Sequence, residues 1–86
     1  MNRRNMLDYL PFMEGFSIIE LARPEKFIGK TLKDLSLTKK YGVQVIAIRD
    51  PLETEPKLGN LADYVLQERD VLFIIGPNKV LDKIKD

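Results

Sequence analysis

A chain of 86 residues makes one small domain, below the size at which a single core is comfortably self-sufficient, so association with a partner would help it. Its composition, 44% hydrophobic and 31% charged, is that of a soluble globular protein, and 14 Lys and Arg against 13 Asp and Glu give no net electrostatic drive toward nucleic acid or an anionic membrane. The absence of Cys excludes disulfides, and the absence of His removes the common zinc and iron sites, leaving only all-oxygen metal sites open.

The basic start, Met1-Asn2-Arg3-Arg4-Asn5, is followed by Asp8 and Pro11 rather than by an extended apolar region, so no targeting segment is predicted. The longest wholly apolar run, residues 71–75, is far short of the roughly 20 residues that cross a bilayer, and a cytoplasmic location is the default expectation. Residues 5–13 carry Met6, Leu7, Tyr9, Leu10, Phe12 and Met13. They read as a short helix ending near Leu10, because the residue before Pro11 is pushed out of the helical region. Such a helix is either a packed first element or an arm that crosses onto another chain. Glu14-Gly15 then punctuates, and residues 16–21 form a predicted strand with apolar residues on both faces, which suggests partial cover on each side and points to packing against a second layer or subunit.

After a loop over residues 22–26 comes the unit around which the rest packs, residues 27–50. Thr31 is placed to cap a helix by accepting from exposed backbone N–H groups, and Leu32 and Leu35 fall three apart on one buried face. Leu37 sits off that spacing, and Gly42 supplies the left-handed residue that ends a helical segment, so a tighter turn runs through Thr38, Lys39, Lys40 and Tyr41. Residues 43–48 are rich in β-branched side chains and bounded by Gly42 and Asp50-Pro51, the signature of a strand. Residues 50–56 hold two prolines and three acids, which suits a turn with a short edge piece. In the mixed segment 61–66, Leu61, Val65 and Leu66 are expected to dip into the core. A polar turn over 67–70 precedes a buried strand over 71–75, closed by Gly76-Pro77. Asn78 is a good N-cap for a last helix with Val80, Leu81 and Ile84 as its apolar stripe. The expected fold is α+β, a small sheet with short helices on one face, preceded by an N-terminal linker helix.

Catalytic parts are missing. There is no His or Cys, Ser17 and Ser36 lie outside any strand-to-helix nucleophile elbow, and the carboxylate pairs Glu53 with Glu55 and Glu68 with Asp70 read as solvated surface. No catalytic residue or metal ligand is assigned, and the chain is read as no enzyme. The glycines are scattered singly, so neither a phosphate-cradling loop nor a dinucleotide fingerprint can be built. Tyr41 beside Lys39 and Lys40 could stack a base, but the anchoring of a helix end is the preferred reading.

Taken in order, these segments resemble the RCK C-terminal domain, also termed TrkA-C, the regulatory module of cytoplasmic gating subunits of Trk and Ktr potassium uptake systems and of related channels and antiporters. Arg23-Pro24-Glu25-Lys26-Phe27-Ile28-Gly29-Lys30-Thr31-Leu32 is similar to the opening of that family. Leu35-Ser36-Leu37, Tyr41-Gly42-Val43 and Ile46-Ala47-Ile48-Arg49 are similar to its helix-turn-strand centre, and Asp63-Tyr64-Val65-Leu66, Asp70-Val71-Leu72 and Ile75-Gly76 to its closing strand. The resemblance covers Phe16 to the C-terminus. Residues 5–10 are also similar to the linker helix that joins the two lobes of Ktr-type gating subunits, which makes 1–14 a linker or crossover helix and 15–86 the regulatory domain of an excised or naturally split C-lobe.

The resemblance implies a homodimeric regulatory lobe that works with an RCK N-terminal Rossmann lobe and a membrane potassium transporter or channel subunit, cytoplasmic and peripheral to the membrane through that subunit. In several members the dimer groove binds cyclic di-AMP, which lowers potassium uptake, and no cofactor is otherwise required. On that pattern Ile28, Val43 and Val45 fall where apolar groups line the nucleobase pockets, and Pro56 lies near a proline of the pocket wall. Thr38 stands where cyclic di-AMP binders tend to carry Arg, and Gln44 where they carry Asn. Loss of the guanidinium removes a bidentate phosphate partner, which Lys39 and Lys40 could replace in charge without the planar fork, with Tyr41 beside them. The alternatives are a purely structural dimerisation module with no nucleotide binding, and a lobe of another transporter or of a transcription regulator.

Overall fold

Strand β2 (Phe16–Ala22) turns Ser17, Ile19 and Leu21 inward and leaves Ile18 and Glu20 half-buried on the other face, the two-residue period of a pleated strand. In the computed structural model, which describes residues 6–22 and 25–84, it pairs antiparallel with β4 (Val71–Pro77), so that Ile19 faces Ile74 and Leu21 faces Leu72. On its other side β4 pairs with β3 (Gln44–Arg49), where Ile48 faces Leu72 and the register shifts between Val45 and Ala47. The last strand of the chain is therefore an inner one, flanked on both sides. Leu72 and Ile74 are fully buried on its inner face and Phe73 and Ile75 half-buried on the other, so neither face is fully solvated, which suits its uninterrupted apolar run.

The N-terminal segment departs from the expected linker helix. Met6–Met13 forms β1, antiparallel to β2, with Tyr9 opposite Ile19 and Leu10 opposite Ile18, and completes a sheet of order β1-β2-β4-β3. Pro11 lacks a backbone N–H and so argues equally against a helix interior and an inner strand; an edge strand tolerates it. Glu14-Gly15 closes the hairpin, with Gly15 at φ +81°, where only glycine escapes a steric penalty. Asn5, the basic start, the Arg23-Pro24 step and the last two residues lie outside the described residues.

The helical layer follows the local signals closely. Thr31 Oγ1 accepts from the Asp34 N–H at 3.0 Å and caps α1 (Leu32–Leu35). Ser36, at φ 49°, ends α1 and redirects the chain into α2 (Leu37–Tyr41). The redirection swings Leu37 into the core, which is why it sits off the spacing of Leu32 and Leu35. Gly42 at φ 72° closes α2, its N–H donating to Thr38 O at 2.9 Å.

The edge piece expected after β3 is a single bridge in which Ile48 and Lys57 exchange backbone hydrogen bonds of 3.1 and 2.7 Å. Of the three residues expected to dip from 61–66, Leu66 is buried and Leu61 half-buried, but Val65 is 43% exposed. It is held at the surface by its bridge to Thr31. Asn78 is the first residue of α3 (Asn78–Ile84) rather than the residue before it, and its Oδ1 accepts from the buried Ser17 hydroxyl at 2.6 Å, tying the helix start to β2. Leu81 and Ile84 then join Ile19, Leu21, Phe27, Leu37, Val43, Ile48, Leu66, Leu72 and Ile74 in one core.

Candidate ligand cleft

The α1–α2 corner, the start of β3 and the turn over residues 59–62 enclose a cleft of about 340 Å³. Its buried or half-buried lining is apolar, made by Leu32, Leu37, Val45, Leu61 and Ala62, and its exposed lining carries Lys33, Thr38, Gln44 and Asn60. Local chemistry builds each wall. The Lys33 N–H donates to Ala62 O at 2.9 Å and fastens the turn against α1. Asn60 Oδ1 accepts from the Ala62 N–H at 3.2 Å, and Gly59 at φ +88° reverses the chain just before it. On the far side the Thr38 hydroxyl donates to Val43 O at 2.8 Å and clamps α2 to the entry of β3.

Of the residues expected to bind a ligand, Thr38, Gln44 and Val45 come together in this cleft. Val43 is buried in the core, with its side chain against Gly76, and does not line the cleft; its carbonyl accepts from the Thr38 hydroxyl. Ile28 is half-buried after a short 3-10 turn, Lys39 and Tyr41 are exposed on α2, and Pro56 is exposed ahead of the Lys57 bridge. None of these four lines the cleft. Sequence reasoning missed Leu32, Lys33, Leu37, Asn60 and Leu61. The leucines were legible only as core residues, and Gly59-Asn60 only as a turn, because nothing local says that 59–62 folds back onto α1.

A brace of charged and aromatic side chains holds the segment that carries this wall. Asp50 accepts from Arg69 Nε at 2.9 and 3.0 Å and from the Leu52 N–H at 2.9 Å, and these bonds hold its carboxyl below the usual carboxylate range. Asp70, expected beside Glu68 on a solvated turn, is instead fully buried. Its Oδ2 accepts from Tyr64 Oη and from the Gln67 N–H, both at 2.8 Å, while its Oδ1 has no hydrogen-bond partner among the described residues. Burial, and then the hydrogen bond to Asp70, push the Tyr64 hydroxyl up to about 12. Lys57 Nζ lies 5.6 Å from the centre of the Tyr64 ring and pairs with Glu53 at 3.0 Å. Among the described residues no three acidic, His or Cys side chains gather in a way that could hold a metal ion, and no helix is long and apolar enough to cross a membrane.

The comparison with known proteins converges on one family. The family model of the TrkA-C domain matches residues 16–86. The chain is 36% identical over 72 residues to Ktr system potassium uptake protein C of Bacillus subtilis (strain 168), covering 84% of this chain and 32% of that protein. It is 28% identical over 82 residues to Ktr system potassium uptake protein A of the same organism, covering 95% of this chain and 36% of that one. It thus spans about a third of the length of these curated relatives. Among solved structures, the RCK C domain of the potassium transport protein KtrA in complex with cyclic diadenosine monophosphate superposes with a TM-score of 0.72 at 29% identity, over 84% of this chain and 82% of that one. The GsuK RCK domain, at a TM-score of 0.68 and 24% identity over 84% of this chain and 16% of that one, shares the fold.

Proposed function

The chain belongs to the TrkA-C domain family, and from that premise we propose that it is the regulatory ligand-binding and dimerisation lobe of a cytoplasmic potassium-transport gating subunit. Cyclic di-AMP is the candidate ligand, taken across the twofold axis of a homodimer. The observation that carries the reading is the cleft: Thr38 and Gln44, the two polar positions that the family pattern assigns to the ligand, line one concave site with Val45. The solved relative in complex with cyclic diadenosine monophosphate supports the choice of ligand.

The chemistry of the cleft suits a flat ring carrying polar edges. Leu32, Leu37, Val45 and Leu61 offer apolar surface, while the amides of Gln44 and Asn60 each combine donor and acceptor groups that can meet a heterocycle edge. No bond is broken in this scheme. Ligand binding shifts the population of dimer arrangements, and only to the extent that one arrangement binds better than another. An RCK N-terminal lobe and a membrane transporter subunit would convert that shift into gating, since the chain spans about a third of its relatives.

Isothermal titration with cyclic di-AMP, run beside the mass of the protein in solution, tests the reading. Saturable binding of one ligand per dimer supports it. The second reading, a dimerisation module with no ligand, is favoured by one observation: the Thr38 hydroxyl already donates to Val43 O and presents only lone pairs to an incoming phosphate. A well-folded dimer that gives no binding heat would establish that alternative.

A further inference from the structure

One of the residues lining the cleft is charged, Lys33. We infer that Lys33 is the cation that contacts the ligand's phosphate, an inference that rests on the nucleotide reading of the cleft. Four observations carry it. First, the basic residues next to Thr38 are misplaced for such a contact, since Lys39 and Lys40 sit exposed on α2 and do not line the cleft. Second, Thr38 cannot take over, because its single proton is committed to Val43 O. Third, Lys33 makes no ion pair among the described residues, so its charge is not already neutralised there. Fourth, its backbone is fixed to the opposite wall through the 2.9 Å bond to Ala62 O, which holds the residue at the cleft.

The neutral partners complete the set. The Asn60 side-chain oxygen is occupied by the Ala62 N–H, which leaves its NH2 group to donate, and Gln44 contributes a second amide. An anion in the cleft therefore meets one ammonium and two amides. A phosphodiester carries one negative charge, and a cyclic dinucleotide carries two phosphodiesters related by its own twofold symmetry. A homodimer presents two copies of Lys33, one for each. The usual Arg position on α2 is thus replaced by a Lys on α1, a point charge on a flexible stem rather than a planar fork.

The test compares the full chain with Lys33→Gln, Lys33→Arg and Lys39→Gln by titration with cyclic di-AMP, with the thermal melting of each variant as the folding control. Lys33→Gln is expected to weaken binding by about a hundredfold or more, the loss of one charge-assisted hydrogen bond in each of the two subunits, and to flatten the decline of affinity with added salt. Lys33→Arg retains binding, and Lys39→Gln changes affinity by less than about fivefold, as a charge outside the cleft should. Wild-type affinity in Lys33→Gln, or an equal loss in Lys39→Gln, overturns the inference while leaving the ligand reading intact. If the wild-type protein ignores cyclic di-AMP, the ligand reading fails, and amide chemical shifts on titration with adenosine monophosphate then decide the role of Lys33. Shifts at Thr38, Gln44 and Asn60 that vanish in Lys33→Gln uphold it, and their absence in the wild type overturns it.

Discussion

Gly76→Ala is the substitution through which the packing behind the cleft can be measured. Gly76 is buried in β4 and its backbone is in no left-handed conformation, so alanine carries no dihedral penalty there. The obstacle is steric. A Cβ at this position would lie 2.5 Å from Val43 Cγ1, 3.1 Å from Val43 Cβ and 3.4 Å from Val43 Cα, where carbon atoms prefer about 3.5–4.0 Å. Rotating the Val43 side chain relieves only the first contact, and a β-branched side chain has few rotamers to offer. The backbone at Val43 must therefore give, and its carbonyl is tied to the Thr38 hydroxyl.

Overpacking of this kind costs about 1–3 kcal/mol, against a total stability of about 4–13 kcal/mol for a domain of this length. The melting temperature should fall by about 5–20 °C. Thermal and urea unfolding of Gly76→Ala, Val43→Ala and the double variant read the effect. Val43→Ala alone should cost about 1.5–3 kcal/mol through lost burial and the cavity left behind. In the double variant the new methyl occupies part of the vacated space, so the loss should be smaller than the sum by about 1–2 kcal/mol. Rescue stays partial because the Val43 Cβ remains at 3.1 Å. A Gly76→Ala protein that melts with the wild type, or strict additivity in the double variant, would refute the reasoning.

Three further expectations can be tested separately. The Tyr64 hydroxyl has an ordinary value of 10.0 and is held at about 12 in the fold, so its contribution is fully present below about pH 10 and is lost as the pH rises toward 12. A half-buried hydroxyl should lose about 1–2 kcal/mol in this way; Tyr64→Phe should abolish that alkaline slope in urea titrations, and an unchanged slope would refute the assignment. Ser17→Ala leaves the half-buried Asn78 Oδ1 without its 2.6 Å donor and should cost about 1–2 kcal/mol, read as a lower melting temperature; an unchanged melt would mean that water replaces the hydroxyl at no cost. Thr38→Arg should strengthen cyclic di-AMP binding about ten- to a hundredfold while costing about 0.5–1.5 kcal/mol of stability, because it restores a guanidinium and removes the bond to Val43 O. Unchanged or weaker affinity would mean that the phosphate lies elsewhere.

What the sequence by itself determined was local. Thr31 caps a helix because its hydroxyl meets the Asp34 N–H within one turn, Gly42 ends the next because only glycine enters the left-handed region freely, and the β-branched run before Asp50-Pro51 is a strand. These signals act within a few residues, and together with the order of the segments they were enough for the α+β class and the TrkA-C family. Only the tertiary structure decided the rest. Residues 6–13 carry no decisive period, and the free edge of β2 selected a strand over a helix. Asp70 looked solvated until Tyr64 and the Gln67 N–H closed over it. The cleft takes one wall from α1 and the other from a turn more than twenty residues later, joined by the hydrogen bond from Lys33 to Ala62. A contact between distant segments leaves no mark on the local pattern of either, because each segment alone satisfies the rules for a short helix or a turn; the site exists only once the sheet has brought them together.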